Sequence, residues 1–322
     1  MVDTPIARWS FSKKYPMVTK PQVLFIVGQT AVGKSALALE AAHAYGGEII
    51  SADSRQIYRQ MDIGTAKPTV AERTLVRHHL IDVAMPDAWY SLAMFRSDAL
   101  AAITSCVERG VLPIVAGGTG QYLAALLEGW TVPELPPNEE LRTQLEADAI
   151  RDGHEALHRR LAQLDPDAAA SIHTTNVRRI VRALEVCIGA GVPFSALQTK
   201  AALTFEPTVI WLQMPTEALY QRIDLRVDAM LAHGLVAEVQ SLVAAGYGWA
   251  LPAMSGIGYR ELQPFLAGEC TLAEAVQRIK FNTHAFARRQ STWFRRFTTI
   301  NHTMPCAIEQ LSSVFHRSTT RG

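Results

Sequence analysis

Short apolar runs alternate with helical patterns along most of this chain. Each run is rich in Val, Ile or Leu, which is typical of strands buried on both faces of a sheet. The predicted strands cover residues 23–27, 48–52, 79–83, 112–116 and 208–212. Helical patterns lie between them, for example over residues 35–45 and 91–109. The alternation predicts an α/β fold with a parallel sheet and right-handed crossovers.

A change of pattern near the middle of the chain indicates an insertion. From residue 138 to about 197 the strand signals disappear and helix formers dominate, and a proline cluster at 133–137 precedes this stretch. Because prolines commonly separate elements, we predict a helical insertion. The predicted parts are a disordered N-terminal extension (1–20), an α/β catalytic domain with a helical C-terminal part (21–132 and 198–300), the insertion (133–197) and a tail (301–322).

Composition excludes several classes of protein. Four scattered cysteines without a C-x-x-C pair argue against a zinc site and a disulfide framework, which fits a reducing cytosol. No apolar run reaches the roughly 18 residues that a membrane span needs, and the first twenty residues lack the apolar region of a secretory signal. We therefore expect a cytoplasmic protein without membrane contact. The net charge of +1 is uninformative about a nucleic-acid partner.

Residues 28–35, GQTAVGKS, match the P-loop pattern G-x-x-x-x-G-K-[ST] between a predicted strand and a predicted helix. In that context backbone N–H groups and the helix N-terminus face a phosphate. Lys34 supplies a point charge, and the Ser35 hydroxyl is suited to Mg²⁺. The motif predicts a diphosphate-bearing ligand but no particular reaction. The predicted diphosphate ligands here are Gly28, Thr30, Ala31, Val32, Gly33, Lys34 and Ser35.

Asp53 closes the second predicted strand. Ligands of open α/β sheets bind at the carboxyl ends of strands, so Asp53 should face the P-loop crevice, where it could accept a proton from a bound nucleophile. Helix capping, or holding Mg²⁺ through water, is an equal alternative on position alone. Asp82 is a weak Walker-B candidate, which counts against a motor ATPase or GTPase. A second glycine turn, residues 117–120 with Thr119, is by itself as readily structural.

Basic residues are concentrated in two helical stretches. One contains Arg278, Lys280, Arg288, Arg289, Arg295 and Arg296, and the other Arg159, Arg160, Arg178, Arg179 and Arg182. Such groups can follow RNA phosphates, although solvated helix faces without a partner are equally typical. On the first helix Phe286, Gln290, Trp293 and Phe297 share a separate face suited to packing. We interpret His78 and His79 as structural, because no further ligand stands at a metal-binding spacing nearby.

Several short segments of the chain, taken in their order, resemble those of a known protein family. These are the P-loop, DSRQIY (53–58), MDIGTAKP (61–68), HHLID (78–82), GGTG (117–120), RALEV (182–186), GYR (258–260) and RQSTWF (289–294). Together they closely resemble the bacterial-type tRNA dimethylallyltransferase family, also called isopentenyl-tRNA transferases, from about residue 21 to 296. Gln29 departs from the family pattern, which has proline there.

The resemblance implies a specific chemistry. The P-loop and Arg222 bind the diphosphate of dimethylallyl diphosphate, Asp53 is the general base on the exocyclic amine of the adenosine 3′-adjacent to the anticodon, and Thr119 and Arg226 assist. The implied partner is the anticodon stem-loop of tRNA, the implied cofactor is Mg²⁺ on Ser35, and we expect a monomer. The implied tRNA contacts are Asp53, Ser54, Arg55, Gln56, Thr119, Arg142, Arg178, Arg179, Arg182, Ser255, Gly256, Gly258, Tyr259, Arg260, Arg288, Arg289, Gln290, Thr292 and Arg295.

Three other functions compete with this interpretation. A P-loop kinase of a small metabolite would share the phosphate cradle and the acid after the second strand. A prenyltransferase acting on free adenine nucleotides would not need the basic helices. The third alternative is a non-catalytic, nucleotide-gated RNA-binding protein.

Overall fold

The computed structural model describes residues 20–131, 135–297 and 300–303. The predicted N-terminal extension and tail lie almost entirely outside these residues. The described chain forms two compact units. The smaller comprises Ser91–Met94 and Ala124–Leu203, and the larger contains the remaining described residues.

A six-stranded parallel sheet is the framework of the larger unit. Its strands are β1 (Gln22–Gly28), β2 (Gly47–Ala52), β3 (His78–His79), β4 (Leu112–Gly117), β5 (Glu206–Gln213) and β6 (Ile300–Thr303). They are ordered β3-β2-β4-β1-β5-β6, and every neighbouring pair is parallel. The apolar run from Val23 to Val27 in β1 is fully buried, as its composition predicts. The predicted α/β, P-loop-like fold class is confirmed.

Two strand predictions need correction. The third strand, expected over residues 79–83, is only the pair His78–His79. Leu80 and Asp82 adopt left-handed backbone conformations with φ of 62° and 58°, which end the extended chain. The sixth strand, Ile300–Thr303, was not predicted, because four residues with polar members carry little strand signal.

Helices connect and cover the strands. They are α1 (Lys34–Tyr45), α2 (Val70–Leu75), α3 (Leu92–Glu108), α4 (Gly120–Leu127), α5 (Glu139–Asp152), α6 (His154–Leu164), α7 (Pro166–Ser171), α8 (Val177–Ala190), α9 (Thr216–Ala232), α10 (Leu235–Ala244), α11 (Gln263–Leu266) and α12 (Leu272–Phe294). α1 begins directly after Gly33, whose φ of 111° requires glycine, so the P-loop leads into a helix N-terminus. The long helix α12 begins with a capping box formed by Thr271 and Glu274.

The smaller unit is helical, as the loss of strand signals predicts. α5 to α8 surround a core that includes Leu145, Leu161, Ile180 and Leu184. This unit extends beyond the predicted insertion of residues 133–197 at both ends. Inside it, the buried carboxylate of Glu185 accepts hydrogen bonds from Asn138 N at 2.6 Å and Arg182 Nη1 at 2.7 Å.

Within the described residues no single helix has the length and apolar character needed to cross a bilayer. Only α9 and α10 taken together, which are bent by 58° where they meet, reach that length and composition.

Candidate active site

A cavity of about 520 Å³ opens beside the carboxyl ends of the central strands. A second cavity, of about 290 Å³, adjoins it. Ala31, Lys34, Ser35 and Arg226 line both, so the two cavities lie side by side along the P-loop. The predicted catalytic residues Asp53, Thr119 and Arg226 all line the larger cavity, and Arg222 lines the smaller.

The P-loop places a lysine of unusual acidity between the cavities. Its turn is closed by left-handed backbone at Ala31, with φ of 63°, and at Gly33. Lys34 Nζ donates to Gln29 O at 2.6 Å. Burial, together with the like charge of Arg226, lowers the pKa of Lys34 to about 7, and the Asp53 carboxylate opposes this shift. A bound diphosphate would replace the missing counter-charge and favour the ammonium form.

α12 fixes the P-loop from outside. The side chain of Gln29, which stands where the family has proline, donates to Ala287 O at 3.0 Å. Gln290 Oε1 accepts from Thr30 N at 2.8 Å, and its Nε2 donates to Gly118 O at 2.8 Å. One buried amide thus joins the P-loop to the second glycine turn.

The predicted tRNA contact of Gln290 is therefore corrected. Its side chain is buried, and both ends of its amide bind backbone of the protein. The helical periodicity also predicts that Gln290 lies on the packing face of α12, and the structure supports this second prediction.

The second glycine turn contacts the end of β2 next to Asp53. Thr119 Oγ1 accepts from Ser54 N at 3.0 Å, and Thr119 N donates to Ala52 O at 3.2 Å. Asp53 Oδ1 accepts from Arg55 N at 2.8 Å, so part of the carboxylate stabilises its own turn. The carboxylate also acts electrostatically on Lys34 and Arg226. The structure thus brings the predicted base into the cavity that the P-loop also lines.

Two predicted tRNA contacts after Asp53 also hold neighbouring segments. The Arg55 guanidinium donates to Pro252 O and, at 3.2 Å, to Ser255 Oγ. Gln56 Nε2 donates to Thr65 O at 3.3 Å and to Ala66 O at 3.2 Å. Both side chains line the larger cavity, and their contact with tRNA stays a prediction.

The remaining tRNA candidates divide by exposure. Ser255, Arg260, Arg288, Arg289, Thr292 and Arg295 are exposed in the larger unit, and Arg178 and Arg179 in the smaller. Gly256, Gly258 and Tyr259 are buried. Arg142 and Arg182 form ion pairs with the buried Glu185, so a structural role explains both.

The segment Asp62–Pro68 was recognised as a motif but received no role. Gly64 and Thr65 line the larger cavity, while Ala66, Lys67 and Pro68 line the smaller. The motif is highly specific for the family, and this specificity was the signal that the segment has a function, although its residue types suggested no chemical role. Asp82, the weak Walker-B candidate, belongs to its support: its carboxylate pairs with Lys67 at 2.6 Å and Arg73 at 2.6 Å.

The reason given for a structural His79 was wrong, although a structural role stands. Ligand atoms of Glu48, His79 and Cys106 lie within 4.8 Å of one another, which sequence spacing did not reveal. Arg109 donates to both carboxylate oxygens of Glu48, at 2.5 and 2.6 Å, and holds the pKa of Glu48 at about 2. Burial raises the pKa of Cys106 to about 11. Because His79 and Arg109 both pair with the Glu48 carboxylate, we assign an ion-pair cluster at the sheet edge.

The fold and the site define a class: an α/β protein with a P-loop sequence, an acid at the end of the second strand and a cavity lined by both. Residues 56–297 match the family model described as IPP transferase. A tRNA dimethylallyltransferase of Roseiflexus castenholzii is 55% identical over 278 residues, which is 86% of this chain and 91% of that protein. The chain belongs to the IPP transferase family.

Solved structures agree with this assignment. The full-length tRNA isopentenylpyrophosphate transferase of Bacillus halodurans is 38% identical, with a TM-score of 0.67 over 93% of this chain and 96% of that one. A eukaryotic dimethylallyltransferase acting on tRNA is 28% identical, with a TM-score of 0.75 over 93% of this chain and 77% of that one. The family resemblance inferred from the motifs is confirmed.

Proposed function

We propose that this chain transfers a dimethylallyl group from dimethylallyl diphosphate to N6 of the adenosine 3′-adjacent to the anticodon of tRNA, and releases diphosphate. One observation carries the proposal: Asp53, Thr119 and Arg226 line a cavity that continues into the P-loop cradle. The names of the relatives supply the substrate class. A motor ATPase or GTPase is disfavoured because Asp82, the weak Walker-B candidate, pairs with Lys67 and Arg73.

In the proposed reaction the C–O bond between the allyl carbon and the diphosphate breaks, and a bond from that carbon to N6 forms. The departing diphosphate takes the electron pair of the broken bond. Lys34, Arg226 and the P-loop amides stabilise its charge without reorganising, because they are already in position. Asp53 accepts the proton that N6 loses.

Mg²⁺ fits the proposed diphosphate site. The Ser35 hydroxyl lines both cavities beside Lys34, and it is an oxygen donor of the kind that Mg²⁺ prefers. When bound, the ion would offset charge on the leaving diphosphate. Ser35 is the residue that would hold it.

The RNA side of the proposal depends on exposed arginines. Arg288, Arg289 and Arg295 on and after α12, and Arg178 and Arg179 on α8, form no carboxylate pair within the described residues, unlike Arg142 and Arg182. Guanidinium groups of this kind can contact the phosphates of an anticodon stem-loop. We further infer a monomer acting in the cytoplasm, where tRNA is modified.

Transfer of label from dimethylallyl diphosphate into unmodified tRNA tests the proposal. In Asp53→Ala and Asp53→Asn, turnover should fall by about 10²–10⁴-fold, the usual contribution of a general base, while tRNA affinity stays unchanged. Asp87→Asn, an exposed aspartate, is the matched control. Absence of label in tRNA with the unaltered protein would refute the function, and near-normal turnover of Asp53→Asn would refute the base.

A further inference from the structure

The carboxylate of Glu238 on α10 collects hydrogen bonds from a loop of the site. Its Oε2 accepts from Asp62 N at 2.8 Å and Ile63 N at 2.7 Å, and its Oε1 accepts from Gly64 N at 3.1 Å. The Tyr259 hydroxyl donates to the same Oε1 at 2.6 Å. Three consecutive backbone N–H groups and a phenol thus converge on one side chain.

We propose that Glu238 is the positioning residue for the wall of the diphosphate cavity, and that its loss weakens diphosphate binding rather than RNA binding. The proposal rests on the proposed function for the identity of the ligand. Glu238 itself lines neither cavity, so any effect on binding must act through the segment Asp62–Pro68.

That segment is only partly held by its own backbone. Ala66 N donates to Ile63 O and Lys67 N donates to Asp62 O, each at 3.0 Å, whereas the N–H groups of residues 62–64 donate to Glu238. Successive N–H groups that point to one side form an anion-binding concavity, and Glu238 fills it with a charge from the protein. Hydrogen bonds to an ionised acceptor are stronger than neutral ones, so this contact should dominate the placement of residues 62–64.

The other contacts of the segment hold its far end. Gln56 donates to the carbonyls of Thr65 and Ala66, and Lys67 Nζ pairs with Asp82 at 2.6 Å and also with Asp62 at 2.7 Å. Without Glu238 the near end would lose three hydrogen bonds at once, while the far end stayed attached. The expected result is a displaced wall at Gly64 and Thr65, which line the larger cavity together with Lys34 and Arg226.

Packing at Gly64 supports the same role. A Cβ at this position would lie 2.5 Å from the ring of Tyr259, so the loop lies directly against that ring. Tyr259 is buried, and its hydroxyl is held by Glu238. The carboxylate therefore orders both the loop and the aromatic ring that supports it.

Two measurements on Glu238→Ala, Glu238→Gln and Tyr259→Phe test the proposal: titration with inorganic diphosphate by calorimetry, and steady-state label transfer. We expect Glu238→Ala to raise the diphosphate Kd and the KM for dimethylallyl diphosphate by about tenfold or more, since small misplacements of binding groups are costly. The KM for tRNA should stay within about twofold. Glu238→Gln keeps an acceptor oxygen, so its diphosphate Kd should lie between those of Glu238→Ala and the unaltered protein. The Kd of Tyr259→Phe should be closer to that of the unaltered protein.

The control is Glu40→Ala, an exposed glutamate on α1, which should change neither constant. A folded Glu238→Ala or Glu238→Gln variant with unchanged diphosphate Kd would overturn the proposal, as would equal losses for both substrates. If Glu238→Ala does not fold, the isosteric Gln variant decides. Unaltered protein that binds diphosphate but transfers no label would refute the proposed function, and the calorimetric comparison would still decide the role of Glu238.

Discussion

The P-loop and the segment Asp62–Pro68 border the same pair of cavities but are held in different ways. The P-loop is shaped by its own backbone, with left-handed turns at Ala31 and Gly33 and a helix beginning at Lys34. The second segment has a turn of its own, in which Ala66 N donates to Ile63 O at 3.0 Å, but distant side chains also hold it, Glu238 on its N–H groups and Gln56 on its carbonyls. A motif shaped mainly by its own backbone can be read from consecutive residues, whereas a loop that also needs side-chain partners depends on residues far away in the chain.

Breaking the P-loop should have the larger effect. Lys34→Met removes a charge that faces the leaving diphosphate, so turnover should fall by about 10²–10³-fold, as when one electrostatic donor is lost from a catalytic site. Label transfer and calorimetry with inorganic diphosphate would measure it. Lys20→Met, at an exposed lysine, is the control. Normal diphosphate affinity in Lys34→Met would mean that the cradle holds some other ligand.

Breaking the packing of the second segment should have an intermediate effect. In Gly64→Ala the new Cβ would meet the Tyr259 ring at 2.5 Å, so we expect the free energy of unfolding to fall by about 1–3 kcal/mol, the usual result of overpacking. Chemical denaturation would measure the change. Gly189→Ala is the matched control, because nothing lies within 4 Å of its added Cβ on α8. Equal stability of the two variants would show that the loop does not lie against Tyr259.

The low pKa of Lys34 allows a test by pH, which should affect the P-loop but not the segment Asp62–Pro68. Its pKa of about 7 in the free protein means that ligand binding must take up a proton above pH 7 but not well below it. Affinity for an allylic diphosphate should therefore be highest below pH 7 and fall by up to about tenfold per pH unit above it. Calorimetry in buffers of different ionisation enthalpy would detect the proton uptake.

Two variants sharpen this pH test. Lys34→Arg keeps its charge across the whole pH range, so ligand binding to this variant should take up no proton at residue 34. Any proton uptake that remains in Lys34→Arg then comes from titration of the ligand itself. Glu238→Gln should bind more weakly but keep the same pH dependence, because it acts on the other segment. An unchanged pH profile in Lys34→Arg would contradict the assignment of the proton to Lys34.

Sequence reasoning predicted residues that share one cavity but misassigned a residue that supports it. Asp53, Thr119 and Arg226 line the cavity where the strand ends and the family resemblance placed them. Gln290 was expected to contact tRNA, yet both ends of its buried amide bind backbone of the protein. Residue type and position in a motif cannot distinguish a side chain that faces a ligand from one that holds a neighbouring loop.

By itself the sequence determined the parallel α/β architecture, the phosphate cradle and the family, because strand burial, glycine-dependent turns and helix starts depend on residues close together in the chain. Only the tertiary structure decided which polar groups from distant parts of the chain contact one another. Glu238 reaches Asp62, Gln290 joins Thr30 to Gly118, and Glu48 lies beside His79 and Cys106. Such partners are brought together by packing of distant elements, and no local spacing encodes that.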